Sequence, residues 1–443
     1  MNTLRQPSRA LLVAGIALAA GSAFAQTATE AELARKLDQL AAELAVVKAQ
    51  LQQLQQPKAA APAAAAAPAQ TAAPAATQTA TQTAVPAAPS AAAVAGPATV
   101  ITSYGELNYN RPTRRSQDAQ ADVRRFVLGT QHRFDEKTKV VTELEVEHAV
   151  ASADDAGEVE VEQAYVERQI TPVWSLRAGL FLMPAGLLNE NHEPTAFYGV
   201  ERNFVETAII PSTWREGGVQ LVGNLDNGLT IQGGLSTSFD LTKWDAASGA
   251  GKESPLGSIH QELALAKSHD LAGFGAMNWR AVPGLLLGGS LFTGQATQGQ
   301  AVAKARITLW DAHARWTPGR WDLAALYTRG TISNTAALNS TLVGNPTLIP
   351  KSFDGYYVQG AYKVWSHEDY ALSPFVRWEQ FNTARRYADL GPGLTPAAAR
   401  SERVITLGAN LQVAQGVVAK ADYQRFRENA DLNRVNLGLG WSF

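Results

Sequence analysis

From about Thr99 to the carboxyl end, apolar residues alternate with small or polar ones in segments of roughly ten residues. In "VITLGANLQV", Ile405, Leu407, Ala409, Leu411 and Val413 fall on one face, and Thr406, Gly408, Asn410 and Gln412 on the other. The chain ends in the same manner, on "RVNLGLGWSF". Val435, Leu437, Leu439, Trp441 and Phe443 alternate there with Arg434, Asn436, Gly438, Gly440 and Ser442. A period of two is the signature of a strand with one apolar face. A soluble protein would let such a terminus fray into polar residues.

The connections between these segments alternate too. The short ones are "DEKT" (135–138), "TPV" (171–173), "DNG" (226–228), "PG" (283–284), "PGR" (318–320), "SHED" (366–369) and "QG" (415–416). A longer connection separates each successive pair, and one more lies outside each end of the series. Seven short turns and eight long loops join sixteen strands. Aromatic residues gather beside the short turns: Phe134, Trp174, Trp279, Trp316, Trp321, Trp365 and Tyr370, with Trp441 and Phe443 at the same level. Short turns on one side, long loops on the other and interfacial aromatics describe a membrane-spanning β-barrel. Closure pairs every backbone group inside the hydrocarbon layer. The fold class predicted is therefore all-β, a 16-stranded antiparallel barrel over residues 99–443.

The first hundred residues have a different texture. Arg5 and Arg9 precede the apolar run "ALLVAGIALAA", and "AFA" (23–25) supplies small residues for cleavage, so residues 1–25 read as a signal peptide. In residues 26–57 the apolar positions Leu33, Leu37, Leu40, Leu44, Val47, Leu51 and Leu54 are spaced four, three, four, three, four, three. That heptad seam predicts a self-associating coiled coil, with Glu43 and Lys48 placed for an interchain pair. Residues 58–98 are almost all Ala, Pro, Thr and Gln and read as a linker.

Composition narrows the functions available. The formal net charge is −2, which argues against a nucleic-acid surface, and there is no cysteine. The seven histidines show no HExxH spacing, and no GxSxG occurs. No catalytic residue, metal site or cofactor is expected.

An even-stranded barrel ending on an aromatic strand resembles a bacterial outer-membrane porin. More specifically, "FLMPAGLLNENHEPTAFYGVERNFVETAIIPSTWREGG" (181–218) and "SPFVRWEQFNT" (373–383) resemble the phosphate-selective porin O/P family. The resemblance covers about residues 99–443. It implies a trimer in the outer membrane of a Gram-negative bacterium, with lipid around it and a loop folded into each pore. It also implies a terminal strand read by the barrel-assembly machinery through Trp441 and Phe443.

The connection after the fifth strand is long enough to be that loop. Ile209 and Ile210 would anchor it to the wall, leaving Glu190, His192, Glu193, Glu201, Arg202 and Glu206 to face water at the constriction. On the strands, parity with Leu176, Ala178, Leu180 and Leu182 turns Arg177 inward. The same rule turns Arg315, Lys363, Arg377, Lys420 and Arg434 inward. Glu143, Glu145 and Glu147 join them, as do Glu158, Glu160 and Glu162 on the next strand. Basic residues would then face an acidic wall across the pore, and such charges filter ions. Because the loop carries more Glu than Arg, a general diffusion pore favouring cations or small zwitterions is expected, with an anion- or phosphate-selective pore as the alternative. A third reading is structural, the coil linking the membrane to peptidoglycan in the cell wall.

Overall fold

The computed structural model describes residues 98–152, 157–342 and 344–443. The expected signal peptide, coiled coil and linker lie outside the described residues.

Antiparallel strands form one closed sheet. In chain order they are β1 (Ala98–Pro112), β2 (Gln120–Arg133), β3 (Thr138–Glu147), β4 (Val159–Gln169), β5 (Trp174–Leu182), β6 (Arg215–Asn224), β7 (Leu229–Thr237) and β8 (Leu271–Trp279). There follow β9 (Leu285–Gln295), β10 (Arg306–Trp316), β11 (Trp321–Ile332), β12 (Ser352–Tyr362), β13 (Tyr370–Arg386), β14 (Glu402–Ala414), β15 (Val417–Phe426) and β16 (Arg434–Ser442). A short stretch, Trp365–His367, resumes β12 after a two-residue break and pairs with the start of β13. The barrel therefore has sixteen staves.

Each short connection expected from the sequence falls between the strands it was assigned to. The chemistry of those turns is local. In "DEKT" the Asp135 carboxylate accepts the amides of Lys137 and Thr138, each at 2.8 Å. In "TPV" the Thr171 hydroxyl accepts the amide of Trp174 at 3.0 Å. Gly228, Gly284, Gly319 and Gly416 adopt the positive φ that the tighter turns require.

The seam closes between the first and last strands. Tyr104 lies opposite Ser442, Leu107 opposite Leu439 and Tyr109 opposite Leu437. Beyond the last register pair, Ser103 and Phe443 exchange both backbone hydrogen bonds, at 3.0 and 2.9 Å. Alternation along β16 then sorts its residues into two environments: Leu437 is 50% exposed on the outer wall and Asn436 fully buried on the inner one. Trp316, Trp321, Trp365 and Tyr370 stand exposed beside the short turns, where amphipathic rings suit a membrane interface.

One part of the outer wall is covered. Leu180 and Leu182, expected to face lipid, are buried. Leu180 is the register partner of Gly217, and the Leu263 side chain of the connection between β7 and β8 lies directly on Gly217. That connection thus folds down over the wall where the preceding loop departs inward. Glu262 of the same segment pairs with Arg215 at 2.8 Å, and Arg215 also pairs with Glu160.

Candidate functional site

The loop of residues 183–214, between β5 and β6, enters the barrel and is strapped to strands far away in the ring. Wall carboxylates accept its backbone amides: Asp311 from Gly186 at 3.1 Å, Asp422 from Val200 at 2.7 Å and Glu379 from Phe204 at 2.6 Å. The Lys420 ammonium donates to the Gly199 carbonyl at 2.9 Å and lies 3.6 Å from the centre of the Phe197 ring. An irregular segment can enter an interior only if its backbone polar groups find partners. These four wall residues, on β10, β13 and β15, supply them.

Packing completes the attachment. Val205, Ile209 and Ile210 are buried, and Val205 and Ile209 lie against Gly355 of β12. Pro194 sits on Gly440 of β16, so closely that any side chain there would collide with it. Phe204 stacks on Phe381 at 5.8 Å and meets Phe426 edge-on at 5.1 Å. The small residues on the inner face of β16 make room for the loop.

Glu206 lies at the centre of the loop's own fold. Its carboxylate accepts the amides of Leu187 and Leu188 at 2.5 and 2.8 Å, the Asn203 side-chain amide at 2.8 Å and the Tyr357 hydroxyl at 2.9 Å. His192 pairs with Glu162 at 2.9 Å and contacts the Tyr104 hydroxyl at 2.7 Å. Arg202 donates to the His192 carbonyl at 3.2 Å and to Ser212. His192, Arg202 and Glu206, expected to face water, are instead buried. They tie the loop to itself and to the wall. The remaining three differ: Glu190 is exposed, bonded to Gln232 of β7, while Glu193 and Glu201 are half-buried.

Several of the strand charges expected to face inward are paired nearby. Arg177 pairs with Glu167 at 2.6 Å, Arg315 with Asp322 at 2.6 Å and Arg377 with Glu379 at 2.9 Å. Glu145 and Glu147, together with Glu106, surround Arg125 at 2.9, 3.4 and 2.9 Å. These pairs join adjacent strands, except that Arg377 and Glu379 stand two residues apart on β13. Glu143 accepts a hydrogen bond from Gln163, and Arg434 donates to Gln424 at 2.7 Å. Lys363 lies just past the end of β12, half-buried at the turn. Among the described residues Glu143, Glu158, Glu190, Glu193, Glu201 and Glu206 form no ion pair, nor do the bases Arg202, Lys363, Lys420 and Arg434.

Arg125, Asp311, Glu379 and Asp422 were missed by the sequence reading. Outward Phe126 and Leu128 flank the parity that turns Arg125 inward, so that residue was within reach. Asp311, Glu379 and Asp422 share the parity of Arg315, Arg377 and Lys420, but their partners, loop amides remote in sequence, carried no signal.

Residues 290–435 match the family described as phosphate-selective porin O and P. The barrel is a porin barrel. An uncharacterized protein of Aquifex aeolicus (strain VF5) is 28% identical to this chain over 354 residues, 77% of this chain and 79% of the relative. OmpF of Salmonella typhi, solved with daunomycin, superposes with a TM-score of 0.54 at 14% identity, over 78% of this chain and 97% of OmpF. The outer-membrane channel DcaP of Acinetobacter baumannii gives 0.52 at 14% identity, over 79% and 98%. At such identities the likeness is one of fold.

Proposed function

We propose that the porin forms a water-filled channel for passive diffusion of small hydrophilic solutes and ions across the outer membrane of a Gram-negative bacterium, with a mild preference for cations. The observation that carries this is the strapped loop. It narrows the lumen, while the carboxylates left without an ion-pair partner outnumber the bases in the same condition. A pore built to hold phosphate needs converging Arg and Lys at its narrowest point. Here Arg177, Arg315 and Arg377 are each engaged by a carboxylate.

Single-channel recording in a planar bilayer under a salt gradient tests the reading. The reversal potential should take the sign of a cation-preferring pore. Glu190→Gln should lower the cation-to-anion permeability ratio about twofold, the Coulomb effect of one charge at roughly 8 Å in water acting on both ions and screened by salt. Block by micromolar phosphate would overturn the preference and favour the phosphate-selective alternative.

A homotrimer is part of the proposal. The outward faces of β7, β8 and β9 carry Gly233, Gly273, Gly275 and Gly289 in adjacent register positions. They leave a flat apolar wall that a second copy can approach closely. Leu265, in the segment draped over the neighbouring wall, is fully exposed. Three equal conductance steps per insertion support the trimer, and single steps count against it.

Residues 1–25 act as a cleaved signal peptide in this reading, residues 26–57 as a periplasmic coiled coil and residues 58–98 as a linker. The coil holds subunits in register or reaches the peptidoglycan. Deleting residues 26–98 should leave the conductance of inserted channels within about 20% of the parent, since the pore is built wholly from the barrel. Loss of conductance would reject that division of labour.

A further inference from the structure

Two basic clusters stand on the outside of the barrel, where they can play no part in the pore. Both lie at the long-loop ends of the strands. The first joins Arg306 of β10, Arg329 of β11, Lys351 and Arg386 around a recess of about 300 Å³. The second joins Arg114, Arg403 of β14, Arg425 of β15 and Arg427 around a recess of about 420 Å³, floored by Trp378 and Ile405. Register fixes their orientation. Trp378 lies opposite Ile405 and Ile405 opposite Arg425, so all three share the outward face with exposed Leu407 and Val376. Arg329 lies opposite outward Trp310.

Just below the first cluster runs a row of touching aromatic rings across four strands. Trp310 and Tyr327 have centroids 5.3 Å apart, Tyr327 and Tyr356 6.5 Å, and Tyr356 and Trp378 5.3 Å. Such a row marks the level where acyl chains give way to headgroups. The bases above it therefore sit at headgroup height in the outer leaflet. β7 to β9 carry outward Leu235, Leu271 and Thr293 near their long-loop ends instead. The arginine belt covers only one sector of the ring.

Nearby acids do not cancel it. Asp354 is engaged by Arg385 at 3.1 Å and Asp431 by Arg114 at 3.4 Å. The Glu402 carboxylate accepts the backbone amides of Arg403, Arg427 and Glu428 at 2.9 to 3.0 Å. Among the described residues Arg306, Arg329, Lys351 and Arg386 form no ion pair, nor do Arg403, Arg425 and Arg427. Several guanidinium forks around a concave site with an apolar floor match one chemistry: phosphate groups attached to acyl chains. A free anion would gain nothing from Trp378 and Ile405.

We infer that this sector of the outer wall binds phosphorylated lipid headgroups of the outer leaflet, phosphates on the arginines and acyl chains on the aromatic row and Ile405. The inference rests on the barrel lying in a membrane and is independent of the channel's ion preference.

The full-length protein, reconstituted in phosphatidylcholine discs, is the material for the test, with lipid A as probe. Native mass spectrometry should show lipid A retained by the parent. In the variant Arg403→Ala, Arg425→Ala, Arg427→Ala the apparent affinity should fall about a hundredfold, at about fivefold per arginine removed from a membrane surface. The corresponding triple lysine variant should recover part of the loss, because charge remains while the planar fork is gone. Unchanged conductance and heat-modifiable gel mobility establish that both variants are folded. Equal retention of lipid A by parent and alanine variant overturns the inference. So does an equal thermal shift with inorganic phosphate or with dephosphorylated lipid A. Conversion of trimers to monomers by the alanine variant would make the patch a subunit interface and overturn it too.

Discussion

A chain lacking Phe443 should reach the periplasm and largely fail to become a barrel. The heat-modifiable folded form is expected to drop at least about tenfold, whereas the few channels that insert should conduct like the parent. The physical reason lies at the seam. Phe443 gives and receives a backbone hydrogen bond with Ser103, and without it both polar groups of Ser103 face an apolar surrounding. Two unmet groups each cost on the order of 1–3 kcal/mol, more than a tenfold change requires. The ring itself is 76% exposed, so its removal creates no cavity. Any assembly defect therefore comes from closure or from recognition of the terminal strand. Replacement by alanine separates the two, since it keeps the backbone pair and removes the aromatic. Measuring the folded fraction by gel mobility after pulse labelling checks the result, and parent-like assembly of the deletion would refute it.

The second large effect is expected at Glu206. Glu206→Ala removes the acceptor for two backbone amides, one side-chain amide and one hydroxyl, all inside the barrel. Each buried donor left unmet costs on the order of 1–3 kcal/mol. The loop can escape that cost only by leaving its seat and letting water reach those donors. Unitary conductance should accordingly rise and become noisy, and urea should unfold the barrel at a lower concentration. Glu206→Gln retains one acceptor oxygen and should fall between the two. A variant with parent conductance and parent unfolding midpoint would show that the loop is held elsewhere.

Much of this architecture was legible from alternation and turn chemistry. The membrane-facing and channel-facing sides of β16 follow from a period of two, and seven turns were readable because Gly, Pro, Asn and Asp announce them. Ile209 and Ile210 pointed to inward folding because two large apolar residues in a polar loop need somewhere to go. The orientation of the loop's charges was not legible. His192, Arg202 and Glu206 have no parity, since an irregular segment has no period. The strand partners of His192 and Glu206, namely Glu162, Tyr104 and Tyr357, come from remote strands that only the ring brings close, while Arg202 bonds within the loop. Parity likewise shows which side of the wall a charge occupies but not what stands beside it. The pairing of Arg315 with Asp322 depends on strand register, and register is set by the closed sheet as a whole. Leu180 and Leu182 went astray for a related reason: a distant loop had to fold down over them.

The inner face of β16 carries a consequence for the order of events in biogenesis. Pro194 rests on Gly440, the Thr195 and Ser442 hydroxyls meet at 2.8 Å, and Asp422 on the preceding strand holds the Val200 amide. Part of the loop's seat is thus built by the strands at the closing seam. Until the ring is complete, the loop has its supports on β10, β12 and β13 but lacks those on β15 and β16. The loop gains its full seat only when the closing strand is in place, so the final width of the pore is set at closure.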